Sequence, residues 1–139
     1  LLVDKPGQQA ERRAMIWTLT QVALGGAIGS VARFACVTGA TRLFGTGFPL
    51  GTLFVNVLGS FAMGLVFVWL SERELLRHAP LLMAGVLGGF TTFSAFSLDA
   101  LKLWEAGAHG ALLVYVLGSV ILSVLALWAG VMIMRGWMA

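Results

Sequence analysis

Four long, uncharged apolar stretches separated by short polar breaks make up most of the chain. They cover Ile16–Val31, with a continuation past Arg33 to Thr41, then Phe48–Leu70, Pro80–Leu98 and Ala111–Met134. A helix needs about 20 apolar residues to cross a hydrocarbon core, and each stretch reaches that range, the first by running through Arg33. The breaks carry turn chemistry: Gly45-Thr46-Gly47-Phe48-Pro49, then Ser71–Ala79 with its four charges, then Glu105–Gly110. Trp17, Trp69, Trp104 and Trp137 stand near span ends, where an indole fits the membrane interface. The pattern predicts an all-α membrane protein with four transmembrane helices in one domain, residues 15–139. Residues 1–14 are polar and hold no span; they read as an N-terminal tail, with Met15 a candidate start. Arg12 and Arg13 before an apolar run resemble a signal peptide, but the run is long and lacks a clear cleavage site, so it reads as a retained first span.

The third stretch breaks the rule that a span is uninterrupted helix. Its centre is Gly88-Gly89-Phe90-Thr91-Thr92-Phe93-Ser94-Ala95-Phe96-Ser97. Glycine weakens a helix by about 1 kcal/mol relative to alanine. Thr and Ser hydroxyls can bond backbone groups that a break leaves unpaired. Non-helical backbone survives at membrane depth only inside protein or beside a polar cavity. The stretch therefore predicts a helix broken in mid-membrane at a functional centre.

Composition sharpens this. The chain is 59% hydrophobic and 11% charged, against about 25% charged in soluble domains. Its net charge of +3 comes from basic residues scattered over loops and ends, which suits lipid headgroups and not nucleic acid. The single cysteine, Cys36, excludes an internal disulfide and reads as a packing residue. With four spans, the amino end, the 71–79 loop and the carboxyl end share one side, holding Lys5, Arg12, Arg13, Arg73, Arg77 and Arg135. The other side holds Arg42 and Lys102, which puts both termini in the cytoplasm. Counted from Met15 the bias nearly vanishes, and a weakly biased chain can insert both ways and pair with an inverted copy of itself.

Polar residues inside the spans fall in register. Asn56, Ser60 and Gly64 recur every four residues on one face of the second span, as do Tyr115, Ser119 and Ser123 on the fourth. A pore-lining role and an interhelical bridge both fit Asn56. The hydroxyl stripe offers donors with no fixed negative charge until Asp99, which suits an anion. Arg33 fits snorkelling into a vestibule, where it would still concentrate anions. Asp99 fits a span-end anchor or a mouth residue. Phe93 and Phe96 fit core packing, and also anion contact through their electropositive ring edges. His78 and His109 are isolated in loops, no span pairs carboxylates and no nucleotide motif occurs, so no enzyme constellation is present.

Together these residues resemble the bacterial fluoride channels of the CrcB/Fluc family. The matching elements are Gly26-Ala27-Ile28-Gly29-Ser30-Val31-Ala32-Arg33, then Gly51-Thr52 with Asn56 and Gly59, the third-span motif, and Tyr115, Ser119 and Ser123. The resemblance covers Met15 to the end. It implies a multi-pass protein of the bacterial plasma (inner) membrane, an antiparallel dual-topology homodimer, and passive export of fluoride that relieves its toxicity. It also implies a central, non-transported Na⁺ held by the backbone carbonyls of Gly88 and Thr91. Phe93 and Phe96 would face fluoride, and Asn56, Ser94, Tyr115, Ser119 and Ser123 would line the pore. Two departures stand out: Ala95 replaces a Thr usual between the motif phenylalanines, and Asp99 stands where many relatives carry Glu. The rival reading is a four-span proton-coupled exporter of fluoride or a small molecule, for which Asp99 is the one titratable candidate. A non-transporting scaffold subunit is the third.

Overall fold

Four long helical segments account for nearly all of residues 6–139, the part of the chain that the computed structural model describes. Helix α1 spans Pro6–Phe44 and α2 spans Leu50–Glu72. The third segment is composite: a short 3₁₀ turn at Leu76–His78, a π-helical stretch Pro80–Leu87, one α-turn α3 at Gly88–Phe90, and then α4, Phe93–Glu105. Helix α5, His109–Met138, completes the chain. Gly7–Phe44, Leu50–Glu72, Leu76–Glu105 and His109–Met138 are each long and apolar enough to cross a membrane. The protein is thus an all-α, multi-pass membrane protein.

Helix α1 outruns its expected limits in both directions. It passes through half-buried Arg33 without interruption and extends back over most of the polar tail, where Ala10, Glu11, Arg12, Arg13 and Ala14 are adequate helix formers. The first five residues of that tail lie outside the described residues.

The apolar distribution is inverted relative to a soluble domain. Val55, Val68, Leu70, Leu87, Leu103 and Tyr115 are buried, while large apolar side chains along every span face outward. Lipid tails are as apolar as leucine, so helix association here depends on close packing of small residues. Two glycine contacts carry it. On α1, a Cβ added at Gly25 would strike the Leu81 carbonyl and lie 2.9 Å from Gly85 Cα, and one at Gly29 would strike the Val86 carbonyl. Between α2 and α5, a Cβ at Gly64 would strike the Leu127 carbonyl, and one at Gly130 the Phe61 carbonyl. The first half of the third segment accordingly lies on α1, while α2 lies along α5.

The third segment is interrupted between α3 and α4, and the glycines do not make the interruption. Gly88 is helical (φ −65°, ψ −37°), and helix continues through Phe90. The backbone becomes extended only at Thr91 (φ −83°, ψ 159°) and Thr92 (φ −154°, ψ 121°). Gly89 serves approach instead: a Cβ there would lie 2.8 Å from the Gly26 carbonyl oxygen of α1. β-Branched threonines accept extended backbone more readily than helix, and here they take it.

Chain reversals use left-handed residues. Gly107 (φ 71°) closes α4, with Ala108 N–H donating to the Leu103 carbonyl and Gly107 N–H to that of Trp104. The same pair of bonds closes α2 around Glu74 (φ 55°), a position where glycine would relieve the strain.

Neighbouring glycines give a paired test of the packing. Gly25→Ala should destabilise the protein by about 1–3 kcal/mol, because backbone on both sides blocks relief. Gly26→Ala, with nothing within 4 Å of the new Cβ, should be neutral or slightly stabilising. Thermal unfolding of both variants in the same micelle checks the contrast; equal melting temperatures would contradict it.

Candidate functional site: a cavity at the helix break

Two extended residues inside a helical span leave backbone groups that need partners. Asn56 of α2 supplies them to Thr92 in duplicate. Thr92 N–H donates to Asn56 Oδ1 at 2.7 Å, and Asn56 Nδ2 donates to the Thr92 carbonyl at 2.9 Å. The side-chain amide thus pairs with the backbone as a strand neighbour would. Thr92 also caps α4, its Oγ1 accepting from Ala95 N–H at 3.2 Å and lying 3.2 Å from Ser94 Oγ. Of the two roles that suited Asn56, the interhelical bridge is present in these bonds, and the same residue also lines the cavity described below.

These bonds release two carbonyls. In an unbroken helix Thr92 N–H would bond to Gly88 O, and Ala95 N–H to Thr91 O. Asn56 takes the first donor and Thr92 Oγ1 the second. The extended ψ at Thr91 further turns its carbonyl out of the helical direction. On the preceding turn, the Leu87 carbonyl accepts from both Thr91 N–H (3.0 Å) and Thr91 Oγ1 (2.9 Å).

Below the break lies a cavity of about 380 Å³. Asn56 and Ser60 of α2, Thr91, Thr92, Phe93 and Phe96 of the third segment, and Ser119 and Ser123 of α5 line it. Gly64, the third member of the α2 stripe, is spent on packing against α5. Phe93 is 77% exposed, its ring 5.3 Å from that of Phe96. Phe96 in turn lies 5.3 Å from Tyr115, whose ring meets Phe48 edge-on at 5.7 Å. Tyr115 is fully buried and lies behind Phe96, outside the cavity lining. Ser94 is likewise absent from the lining, its hydroxyl beside that of Thr92.

The hydroxyl stripe on α5 differs from the other hydroxyls of the chain. Thr18, Thr20, Thr41, Thr91 and Ser97 each donate back to a carbonyl one turn earlier. The Ser119 and Ser123 hydroxyl oxygens are buried with no hydrogen-bond partner in the protein, while the buried Tyr115 hydroxyl lies by Thr52 and Asp99. A buried hydroxyl left unpaired costs about 1–3 kcal/mol, so two in register on one cavity are candidates to meet a ligand.

Phe48 opens onto a second cavity, of about 450 Å³, at the far end of the ring series. Its polar lining includes Thr52, Asp99 and Lys102, and Ala95 also faces it. Thr52 Oγ1 donates to Asp99 Oδ2 at 2.6 Å, and Lys102 Nζ lies 3.7 Å from Asp99 Oδ1. Asp99 therefore lines this second cavity and is held there by α2. Arg33 lines neither cavity. The Thr52 and Thr92 contacts were not anticipated, although a Thr ahead of a helical run is a readable N-cap signal.

Asn56→Leu should destabilise the protein by about 2–4 kcal/mol, since two buried backbone groups of Thr92 lose their partners at once. Asn56→Asp should be no better than Leu, because a carboxylate oxygen would face the Thr92 carbonyl. Melting temperatures of the two variants against the parent test this, and a stable Leu variant would contradict it.

Comparison with known proteins identifies the family. A family model described as CrcB-like protein, Camphor Resistance (CrcB), matches residues 20–131. A protein of Cereibacter sphaeroides named fluoride-specific ion channel FluC is 56% identical over 125 residues, covering 90% of this chain and 100% of the relative. Proteins of the same name from Paracoccus denitrificans and a Ruegeria species are 54% and 50% identical over 122 and 123 residues, each covering 88% of this chain and 98% of the relative. With the match spanning the break, both helix stripes and the cavity between them, the chain belongs to the CrcB-like family.

Proposed function

We propose that this protein is a fluoride-selective channel of the bacterial inner membrane that lets cytoplasmic fluoride leave passively. The observation that carries this reading is the pair of unpartnered hydroxyls, Ser119 and Ser123, in one cavity with Phe93 and Phe96. Relatives at 50–56% identity over nearly their whole length, named as fluoride-specific ion channels, support it. Hydroxyl donors and ring edges present positive electrostatic potential without a fixed charge. Such a lining can replace the water around a small anion that accepts strong hydrogen bonds, while narrowness excludes chloride. The protein transports an ion and catalyses no reaction. An inside-negative potential drives one anionic charge outward with about 2.3 kcal/mol per 100 mV, so no coupled ion is required.

The working unit is an antiparallel pair of chains. Phe93 at 77% exposure and the open side of its cavity leave room for a second copy, and the charge distribution counted from Met15 is near-balanced, which suits dual insertion. The Gly88 and Thr91 carbonyls fit a hard cation, since both have lost their helical donors and hard cations favour oxygen ligands. Gly89 and Phe90 lose their helical donors at the same break, so the choice of the Gly88 and Thr91 oxygens, two per chain and four per pair, follows the family resemblance. A structural Na⁺ there would neutralise the carbonyl dipoles gathered at the centre.

Efflux from liposomes, read with a fluoride electrode, tests the channel. The protein should release fluoride rapidly once valinomycin allows charge balance, and should not release chloride. Phe93→Ile, Phe96→Ile and the double variant Ser119→Ala, Ser123→Ala should each slow release about tenfold or more, as removal of one or two polarising contacts predicts. Release that ignores valinomycin, needs a pH gradient and stops in Asp99→Asn would instead identify a proton-coupled exporter.

A second measurement addresses the cation. Replacing Na⁺ by N-methylglucamine during purification and assay should lower efflux and the melting temperature together. Efflux and melting temperature that do not change with Na⁺ would remove the cation from the account.

A further inference from the structure

Away from the break, a largely apolar recess with a few polar groups lies between α1 and the start of the third segment. Ala14, Trp17, Thr18, Thr20, Gln21 and Leu24 form one wall, and Arg77, His78, Pro80 and Leu81 form the other. Its volume is about 700 Å³, larger than the cavity at the break. Three observations distinguish it from an ordinary crevice.

Gln21 is 91% buried, at 9% residual exposure, and its Oε1 is buried without a hydrogen-bond partner. An acceptor in this state calls for a donor from outside the protein. Arg77 brings a positive charge to the opposite wall, and its Nε donates to His78 Nε2 at 3.2 Å. Among the described residues the only ion pair is Lys102–Asp99, so no carboxylate neutralises the Arg77 guanidinium. The third observation is depth. Trp17 is 65% exposed and lies one turn from Gln21, on the side nearer the polar start of α1, where an indole marks the headgroup level. Gln21 therefore sits about 6 Å deeper, at 1.5 Å per residue, just inside the interface.

The recess thus pairs a cation with an unsatisfied acceptor at the boundary of the hydrocarbon. From this juxtaposition we infer that it is a phospholipid site, taking a headgroup with an anionic phosphate and a hydrogen-bond donor. Phosphate engages Arg77, and the donor (an ethanolamine ammonium or a glycerol hydroxyl) meets Gln21 Oε1. The acyl chains run down the recess beside Leu24 and Leu81. A choline headgroup supplies the phosphate but no donor, so it satisfies only half of the site. Basic pockets between transmembrane helices are known to bind anionic lipid headgroups. The site is independent of the cavity at the break and shares no residue with it.

Native mass spectrometry of the full-length protein in micelles tests this directly, with equal concentrations of phosphatidylethanolamine, phosphatidylglycerol and phosphatidylcholine of matched chains. Retention of the ethanolamine and glycerol lipids should exceed that of the choline lipid about fivefold, the value of one good hydrogen bond. Gln21→Met, close in shape but without the amide, should abolish that preference and leave phosphate-dependent retention in place. Arg77→Gln should weaken all three lipids about fivefold, and Arg77→Lys should restore them. Equal retention of the three lipids by the parent protein would overturn the inference, as would a preference that survives Gln21→Met. Inorganic phosphate and glycerophosphoethanolamine added in tenfold excess should displace little lipid; full displacement by either would assign the recess to a soluble phosphate and overturn the membrane source. Because Arg77 is exposed on the short 3₁₀ turn Leu76–His78, its variants should fold even where a change at Gln21 does not, and they carry the test in that case.

Discussion

A single side chain, Asn56, makes a broken helix tenable inside an apolar bundle. An interruption of helix in hydrocarbon strands backbone donors and acceptors at several kcal/mol each unless something nearby satisfies them. Asn56 meets both groups of Thr92 from a neighbouring helix, and Thr92 meets the Ala95 amide with its own hydroxyl. The same bonds withdraw the donors that Gly88 O and Thr91 O would otherwise have used. Stabilising the break and exposing those oxygens are therefore one event, and neither can be altered alone.

Glycine contacts decide where that event occurs. Gly25 and Gly29 bring the first half of the third segment against α1, and Gly64 and Gly130 bring α2 against α5. The gap between these two packed pairs is where the cavity forms. Gly59 of α2 lets Thr91 and Phe90 come close, since a Cβ there would strike Thr91 Cγ2 and lie 3.2 Å from the Phe90 ring. Ser119 and Ser123 then look across at Asn56 and Phe96 because α5 lies along α2.

Much of this was legible in the residues. Apolar length and polar breaks located four spans, and steps of four placed Asn56 with Ser60 and Ser119 with Ser123 on common faces. What periodicity cannot give is partnership across helices. The Gly88-Gly89 pair looked like the weak point because glycine is weak in an isolated helix, yet close packing on α1 keeps it helical and moves the break to Thr91 and Thr92. The bonds of Asn56 to Thr92 and of Thr52 to Asp99 join residues 36 and 47 positions apart, beyond any local pattern. Tyr115 shares the stripe of Ser119 and Ser123 but not their cavity, because Phe96 stands between. Stripe membership gives direction, while neighbouring side chains give access.

The order of these partners along the chain has a consequence for biosynthesis. α2 leaves the ribosome before the third segment, so Asn56 is already in the membrane when Thr91 and Thr92 arrive. The glycine face of α1 is waiting as well. α5 emerges last and adds the hydroxyls only after the break has its partner. The costly backbone thus never has to linger in lipid unaccompanied, and a chain with its spans in another sequence order would lose that protection during insertion even if its finished fold were the same.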